Sequence, residues 1–399
     1  MDRPPEGDPM VELSGLDELT LDIEKLVAGG DGLGRYKGIP VFVPRAAPAD
    51  RLHVRITERK PHYARAEILE VLEAGPDRRE PPCSHYAACG GCGLQHLEDR
   101  AQVELKVEAA REALTRLGKF EIEVPERVVA GDPWHYRLRT QLQLDGEPGS
   151  ARVGYFGRAS HELVPIRECP ILVEPLERFA VDLARSLAVR VPKRLDVTVG
   201  GRGELSCGPV LPGLPGGSVS RRVGDHTYQY DARTFFQAHA GLLGELVEAV
   251  VGSDRGQAAC DLYAGVGLFS LPLASLFGRV SAVEGDRIAA RYLRKNLQGA
   301  RASNVTVEAC SVESWIAEAP DVFDRVIVDP PRAGLSRHVR GSLRRLRPSR
   351  LTYISCHPAA LARDLSSLAR DFSLESLAYV DLFPQTGHLE IVAQLRAAG

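Results

Sequence analysis

Between Leu19 and about Glu73 apolar and polar positions alternate in short runs, LTLDIEKL, IPVFVP, RLHVRITERK and ARAEILEVL, broken by the turn-rich GGDGLGRYKG. Such alternation bounded by glycine clusters marks half-buried strands, and several in succession predict a small OB-like β-barrel. Residues 98–118 change to a helical period closed by Gly118. A mixed, largely β stretch runs from Glu121 to about Tyr230, through YRLRTQLQL, RVGYFG and HELVPIREC to the loose LPGLPGGSVSRR. From Asp231 strand-like runs (QAACDLYAG, GRVSAVEGD, NVTVEAC, FDRVIVDPP, LTYISCHP, SLAYVDLFP) alternate with helical segments such as DRIAARYLRKNLQGA. Buried strands alternating with helices predict a doubly wound, Rossmann-like α/β domain whose ligands sit at the carboxyl ends of the strands.

The expected organisation is a disordered tail at 1–13, a barrel at 14–73, a mixed α+β central domain at 74–230 and a catalytic domain at 231–399. The central domain carries a Gly/Cys-rich loop at 74–97, and helix 98–118 is free to pack on the catalytic domain. A length of 399 residues with 44% apolar content suits two to three domains. Fifty basic against 53 acidic residues leave a net charge of −3. No global field then favours nucleic acid, and any RNA site must be a local patch. No apolar run approaches the ~18 residues of a membrane span, and the acidic, Pro-rich N-terminus is the opposite of a signal peptide. A cytoplasmic protein without a membrane partner is expected.

Asp261-Leu-Tyr-Ala-Gly265-Val-Gly267 follows the first strand of the α/β region and opens a helix. Its glycines let backbone approach a ligand closely. A dinucleotide fingerprint would need glycine at position 270, where the chain has Ser, so a nucleoside without a pyrophosphate fits better. The next strand ends at Glu284, where a carboxylate can accept both ribose hydroxyls. Together these favour S-adenosylmethionine.

Later strand ends carry further chemistry. Asp329-Pro-Pro-Arg332 holds a carboxylate ahead of a loop stiffened by prolines. Ser355-Cys356-His357-Pro358 places a thiol at a strand terminus, and Phe383-Pro-Gln-Thr-Gly-His-Leu-Glu390 ends in a carboxylate. For Cys356 a nucleophile outweighs an inert core thiol, whereas Cys207, Cys260 and Cys310 read as core. Eight cysteines are too few for a disulfide scaffold, but Cys83, Cys89 and Cys92 fall within ten residues. With Cys169 as a candidate fourth ligand they suit zinc or an iron–sulfur cluster. Residues 332–350 hold seven Arg and no acid beside the DPPR loop, a candidate phosphate contact. Arg51, Arg55, Arg59, Lys60 and Arg65 on the barrel form a second basic surface, equally readable as an ordinary solvated face. Tyr155-Phe156 could stack a base.

The succession of barrel, Cys-x5-Cys-x2-Cys, FFQ, DLYAGVG, DPPR, SC-x-P and FP-x-T-x-x-x-E resembles the RNA uracil-C5 methyltransferases, in the branch with an N-terminal TRAM domain and an iron–sulfur cluster that acts on 23S rRNA. The resemblance implies Cys356 as nucleophile and Glu390 as base. It implies Gln237, Tyr263, Gly265, Glu284, Ser311 and Asp329 as S-adenosylmethionine contacts, and a [4Fe–4S] cluster on Cys83, Cys89, Cys92 and Cys169. Tyr136, Arg137 and Arg139 resemble the family's YR-x-R/K segment. Three positions depart from the pattern: His357 and His239 stand where the family has Asn, and Leu268 replaces a polar residue after Gly-x-Gly. The substrate expected is rRNA and the enzyme a monomer. The alternatives are a tRNA 5-methyluridine methyltransferase and an RNA-binding or assembly protein with impaired catalysis. A radical methyltransferase is disfavoured, since such enzymes use Cys-x3-Cys-x2-Cys and the first gap here is five residues.

Overall fold

The computed structural model describes residues 16–118, 122–147, 151–186, 192–319 and 322–398. The tail at 1–13 lies outside them. The chain divides into two compact units, Met1–Glu112 with Pro384–His388, and Ala113–Phe383 with Leu389–Gly399.

In the first unit, β1 (Glu18–Leu26), β2 (Asp31–Tyr36), β3 (Ile39–Pro44), β4 (Arg51–Lys60) and β5 (Tyr63–Glu73) close a barrel in the order β1-β2-β3-β5-β4. The alternation seen in the sequence becomes its interior: Leu21, Ile23, Val41, Val43, Leu52 and Val54 fill the core. β2 was hidden inside GGDGLGRYKG. Its glycines are there for space: a β-carbon on Gly34 would lie 2.4 Å from the Asp22 carbonyl oxygen. The barrel's basic residues are largely matched by acids, Arg55 by Glu18 and Glu67, Arg51 by Glu73, Arg65 by Asp31 and Lys60 by Glu58. This is the solvated-face reading, and exposed pairs of this kind are worth only ~0–1 kcal/mol each.

The cysteine loop follows the barrel. Arg45 donates to the carbonyls of Ala87 and Cys89 at 2.7 and 3.0 Å and lies 4.5 Å from the Tyr86 ring centre. Fully buried Asp50 takes a two-pronged ion pair from Arg78. Then α1 runs from Asp99 to Gly118, as the helical period predicts.

The second unit begins with β6 (Glu126–Val129), followed by β7 (Arg139–Asp145), β8 (Arg152–Phe156), β9 (Leu163–Pro165), α2 (Glu174–Ser186), β10 (Arg194–Val199) and β11 (Leu205–Gly208). Five of these strands form a sheet in the order β11-β10-β7-β8-β9. β12 (Val219–Val223) and β13 (His226–Tyr230) form a hairpin. The remaining elements are α3 (Leu243–Val251), β14 (Gly256–Leu262), α4 (Ser270–Ala274), β15 (Phe277–Val283), α5 (Arg287–Gly299), β16 (Val305–Glu308), α6 (Val312–Ala317), β17 (Arg325–Val328), α7 (Arg337–Leu346), β18 (Arg350–Ser355), α8 (Pro358–Leu368), β19 (Phe372–Val380) and β20 (Glu390–Ala397). They build an eight-stranded sheet, β16-β15-β14-β17-β18-β20-β19-β6.

Strands β14 to β18 are parallel, so their carboxyl ends share one edge, while β20 runs antiparallel to β18 and starts at that edge. The alternation rule had not singled out β20, because EIVAQLRA is buried on both faces over most of its length. β6 pairs with β19 at the far edge and so belongs to this sheet, not to the central one where sequence position put it. No helix among the described residues is long and apolar enough to cross a membrane.

Candidate active site

The turn after β14 is built around left-handed residues: Tyr263 at φ 65°, Gly265 at 57° and Gly267 at 96°. Glycine adopts this conformation freely, but a tyrosine does so only where its surroundings over-determine it, at a cost of about 1–3 kcal/mol. Those surroundings are visible. Glu284 accepts the Gly265 N–H at 2.7 Å through one oxygen and the Asp286 N–H at 2.6 Å through the other. Asn296 of α5 donates to the Val266 carbonyl at 2.9 Å, and the Tyr228 hydroxyl to that of Leu268 at 3.0 Å. Ser270, where a dinucleotide fold would carry glycine, donates its hydroxyl to Asp261 at 2.5 Å. Asp261 is fully buried, and burial pushes its carboxyl up to about 7.

A small cleft of about 40 Å³ opens on this turn, lined among others by Phe235, Phe236, Gln237, Tyr263, Gly265 and Asp329. Gln237 is buried, and its side-chain carbonyl meets no hydrogen-bond donor among the described residues. An unsatisfied acceptor lining a cavity is a place for a ligand's N–H. Asp329 follows β17, and burial with neighbouring Asp261 raises it to about 7. Sequence reasoning passed over Phe235, which is 60% exposed with the Arg139 guanidinium 5.3 Å from its ring centre. Its signal was a second aromatic ahead of Gln237. Tyr136, by contrast, is buried and stacked on His239 at 4.8 Å.

The thiol and its carboxylate neighbour meet through strand register. Ser355 is paired with Ile391, so one step beyond the end of β18 Cys356 faces Glu390, the first residue of β20. Burial and then Glu390 push the Cys356 thiol up to about 11, with Arg332 pulling the other way. Burial and Asp329 hold Glu390 well above the ordinary carboxylate range. A buried carboxyl with raised affinity for protons is a stronger base than a solvated one.

The two histidine departures are accommodated. His357 is the N-cap of α8, its Nδ1 accepting the Ala360 N–H at 3.1 Å, the service an Asn side chain performs at such a position. His239 likewise accepts the Gly241 N–H through Nδ1 at 3.2 Å. Leu268 lines the cleft. Ser311 is exposed and caps α6, accepting the Ser314 N–H at 3.1 Å. It lies beside the Glu284–Gly285 turn, where a β-carbon on Gly285 would be 3.8 Å from the Ser311 Cα, and outside the cleft lining.

The arginine run is only partly free for a ligand. Arg340 pairs with Asp364 at 2.8 Å, Arg344 with Asp371 at 2.5 Å and Arg350 with Asp254 at 2.6 Å. Two surface grooves have basic walls, one formed by Arg332, His357 and Arg363, which also pairs with Asp364, the other by Arg337, His338 and Arg345, which also donates to the Ile316 carbonyl. Tyr155 is half-buried with its hydroxyl on Thr140, leaving Phe156 as the exposed member of that pair.

Cys83, Cys89 and Cys92 are half-buried in the first unit, and Cys169 is buried in the second. Gly91 donates its N–H to the Cys89 sulfur at 3.3 Å. Among the described residues no three or more ligating side chains are gathered closely enough to hold a metal ion. Cys207 and Cys260 are core, while Cys310 is half-buried rather than core.

The ends of these strands thus combine a stiffened glycine turn, an acidic second-strand terminus and, just beyond β18, a thiol near a carboxylate. Residues 219–397 match the tRNA (Uracil-5-)-methyltransferase family, and 17–69 match the TRAM domain. The chain is 31% identical to the 23S rRNA (uracil(1939)-C(5))-methyltransferase RlmD of Shewanella amazonensis, over 94% of this chain and 95% of that one. It is 30% identical to the protein of the same description from an Enterobacter species, over 93% and 95%. A crystal structure of Pyrococcus abyssi tRNA (uracil-54, C5)-methyltransferase with S-adenosyl-L-homocysteine superposes with a TM-score of 0.72 at 25% identity, covering 94% of this chain and all of that one. The chain belongs to the RNA uracil-C5 methyltransferase family and is an S-adenosylmethionine-dependent transferase.

Proposed function

We propose that this enzyme methylates C5 of a specific uridine in 23S rRNA, with Cys356 as nucleophile and Glu390 as base. The observation that carries the reading is that β18 ends at Ser355 opposite Ile391, so that Cys356, one step on, and Glu390, one step before, lie close enough for the carboxylate to act on the thiol. Uracil C5 is a poor nucleophile until a thiolate adds to C6. Cys356 releases its proton to solvent and reacts as the thiolate: its sulfur bonds C6, and the C5=C6 electron pair shifts toward C4 so that charge gathers on O4 as the enolate. Held at Gln237, Tyr263, Glu284 and Asp329, S-adenosylmethionine would supply the sulfonium methyl group that C5 takes. Glu390 then takes the C5 proton, the C5=C6 bond re-forms, and the Cys356 thiolate is expelled.

The cofactor residues fit this chemistry. Gln237 offers its unsatisfied carbonyl and Asp329 its carboxyl to the ammonium end, while Glu284 keeps lone pairs for the ribose hydroxyls beyond its two backbone bonds. Tyr263 and Gly265 wall the site, and Ser311 supports the turn beside Glu284. The RNA backbone is taken by the two basic grooves. A [4Fe–4S] cluster on Cys83, Cys89, Cys92 and Cys169 is supported by the thiolate donor set and the family resemblance, with a structural role. The enzyme works as a cytoplasmic monomer.

The relatives named for rRNA support the substrate; the tRNA enzyme of similar structure is the competing target. Mass-spectrometric mapping of 5-methyluridine in rRNA and tRNA from a deletion strain separates them. Loss of one 5-methyluridine from 23S rRNA is expected. Loss confined to tRNA would reassign the substrate.

A further inference from the structure

The segment that leads into Glu390 does not belong to the unit that holds the cleft. Residues Pro384–His388 form part of the first unit, and Glu390 follows two residues after His388. At the centre of the segment Gln385 is fully buried, at φ 64°. All four of its polar groups are engaged within the first unit. Its backbone carbonyl accepts the N–H groups of Gly93 and Leu94 at 2.9 and 3.0 Å. Its own N–H donates to the Gln102 side-chain oxygen at 3.0 Å, and Gln102 returns a bond from its amide nitrogen to the Gln385 side-chain oxygen at 2.9 Å. The Gln385 amide nitrogen donates to Asp99 at 2.7 Å. Two positions on, Gly387 is pressed so closely on the next loop that a β-carbon would lie 2.2 Å from the Gly29 carbonyl oxygen.

A non-glycine residue in the left-handed region persists only where its neighbours hold it, and such strain gathers where geometry matters to function. Here the neighbours are a paired amide on α1 and the backbone immediately after Cys92. A fully satisfied buried amide pair has one arrangement, because any shift leaves a polar group unpaired. The chain from this anchor to Glu390 is only five residues long.

We propose that Gln385, locked by Gln102 and Asp99, is a positioning residue for proton abstraction: it fixes where the chain enters β20 and so where the Glu390 carboxylate stands. The inference rests on Glu390 being the base. Loosening the lock then slows the elimination step that Glu390 performs and leaves the earlier attack by Cys356 and methyl transfer intact.

The test uses the full chain with S-adenosylmethionine and its RNA, following methyl transfer in one turnover and decay of the protein–RNA adduct on denaturing gels. Gln385→Ala and Gln102→Leu should transfer the methyl normally while the adduct decays about tenfold to a hundredfold more slowly, the effect of about an ångström of misplacement. Gln385→Asn tolerates the left-handed backbone but is too short to reach Asp99 and Gln102, and should fall between wild type and Gln385→Ala. It and Gln102→Leu carry the test if Gln385→Ala fails to fold. Glu390→Gln runs alongside. If it traps no adduct, the assignment of the base is at fault. If it traps adduct while every folded lock variant decays at the wild-type rate, the positioning role of Gln385 is overturned.

Discussion

The strand-end cleft and the cysteine loop hold their reactive groups in different ways. In the cleft, residues distant in sequence are brought together by a rigid sheet: Asp261, Asp329 and Cys356 by parallel strands that end on one edge, Glu390 by a strand that begins there. The cost of that placement shows as buried carboxyls and a thiol with raised proton affinities. In the loop, three thiols close in sequence are carried by an irregular backbone to which Arg45 donates, its guanidinium over the Tyr86 ring. A sheet pre-organises chemistry because backbone hydrogen bonds set its register, whereas an irregular loop depends on side-chain contacts to hold its donors.

The largest expected effect is in the cleft. Cys356→Ala should take methylation and covalent RNA attachment below detection, because without addition at C6 the enolate never forms. A fully active variant would remove the nucleophile from the account. The loop comes next. Anaerobically purified protein should be brown with about four iron per chain, and Cys89→Ser should lose the colour and lower the melting temperature. Stoichiometric zinc without iron would replace the cluster by a zinc site.

Within the cleft, Glu284→Ala should weaken S-adenosylmethionine binding by about 2–3 kcal/mol, since it removes a charged acceptor and the clamp on Gly265. Calorimetry checks this; unchanged affinity would restrict Glu284 to holding the turn. The smallest effect tests the cost of pre-organisation. Asp261 holds its proton to about 7 in the fold against an ordinary value of 3.8. The folded state thus binds more protons across that interval, and stability falls as pH rises through it. Asp261→Asn keeps an acceptor for Ser270, so thermal melts above pH 7 should show a gain of a few degrees and a flatter dependence between 3.8 and about 7. A loss of stability at neutral pH would show that the charge is compensated.

The barrel and the α/β sheet were legible because hydrophobic period survives in their sequences. β2 was not, since its barrel-facing positions are glycines chosen for space. β20 was not, since burial on both faces erases alternation, and its direction decides that Glu390 enters the cleft at all. Cys356, Glu284 and Asp329 could be read from strand ends. The Gln102–Gln385 pairing could not, because its members are 283 residues apart and neither amide stands out locally. The arginine run showed its charge but not which members already serve Asp364, Asp371 and Asp254.

The division of labour between Cys356 and Glu390 is tested most directly by one variant. Glu390→Gln, given S-adenosylmethionine and RNA, should complete attack and methyl transfer and then stall, accumulating a methylated protein–RNA adduct that runs as a slower band on a denaturing gel. Normal turnover without an adduct would contradict the account and move the base elsewhere, with His357 or His388 the next residues to test.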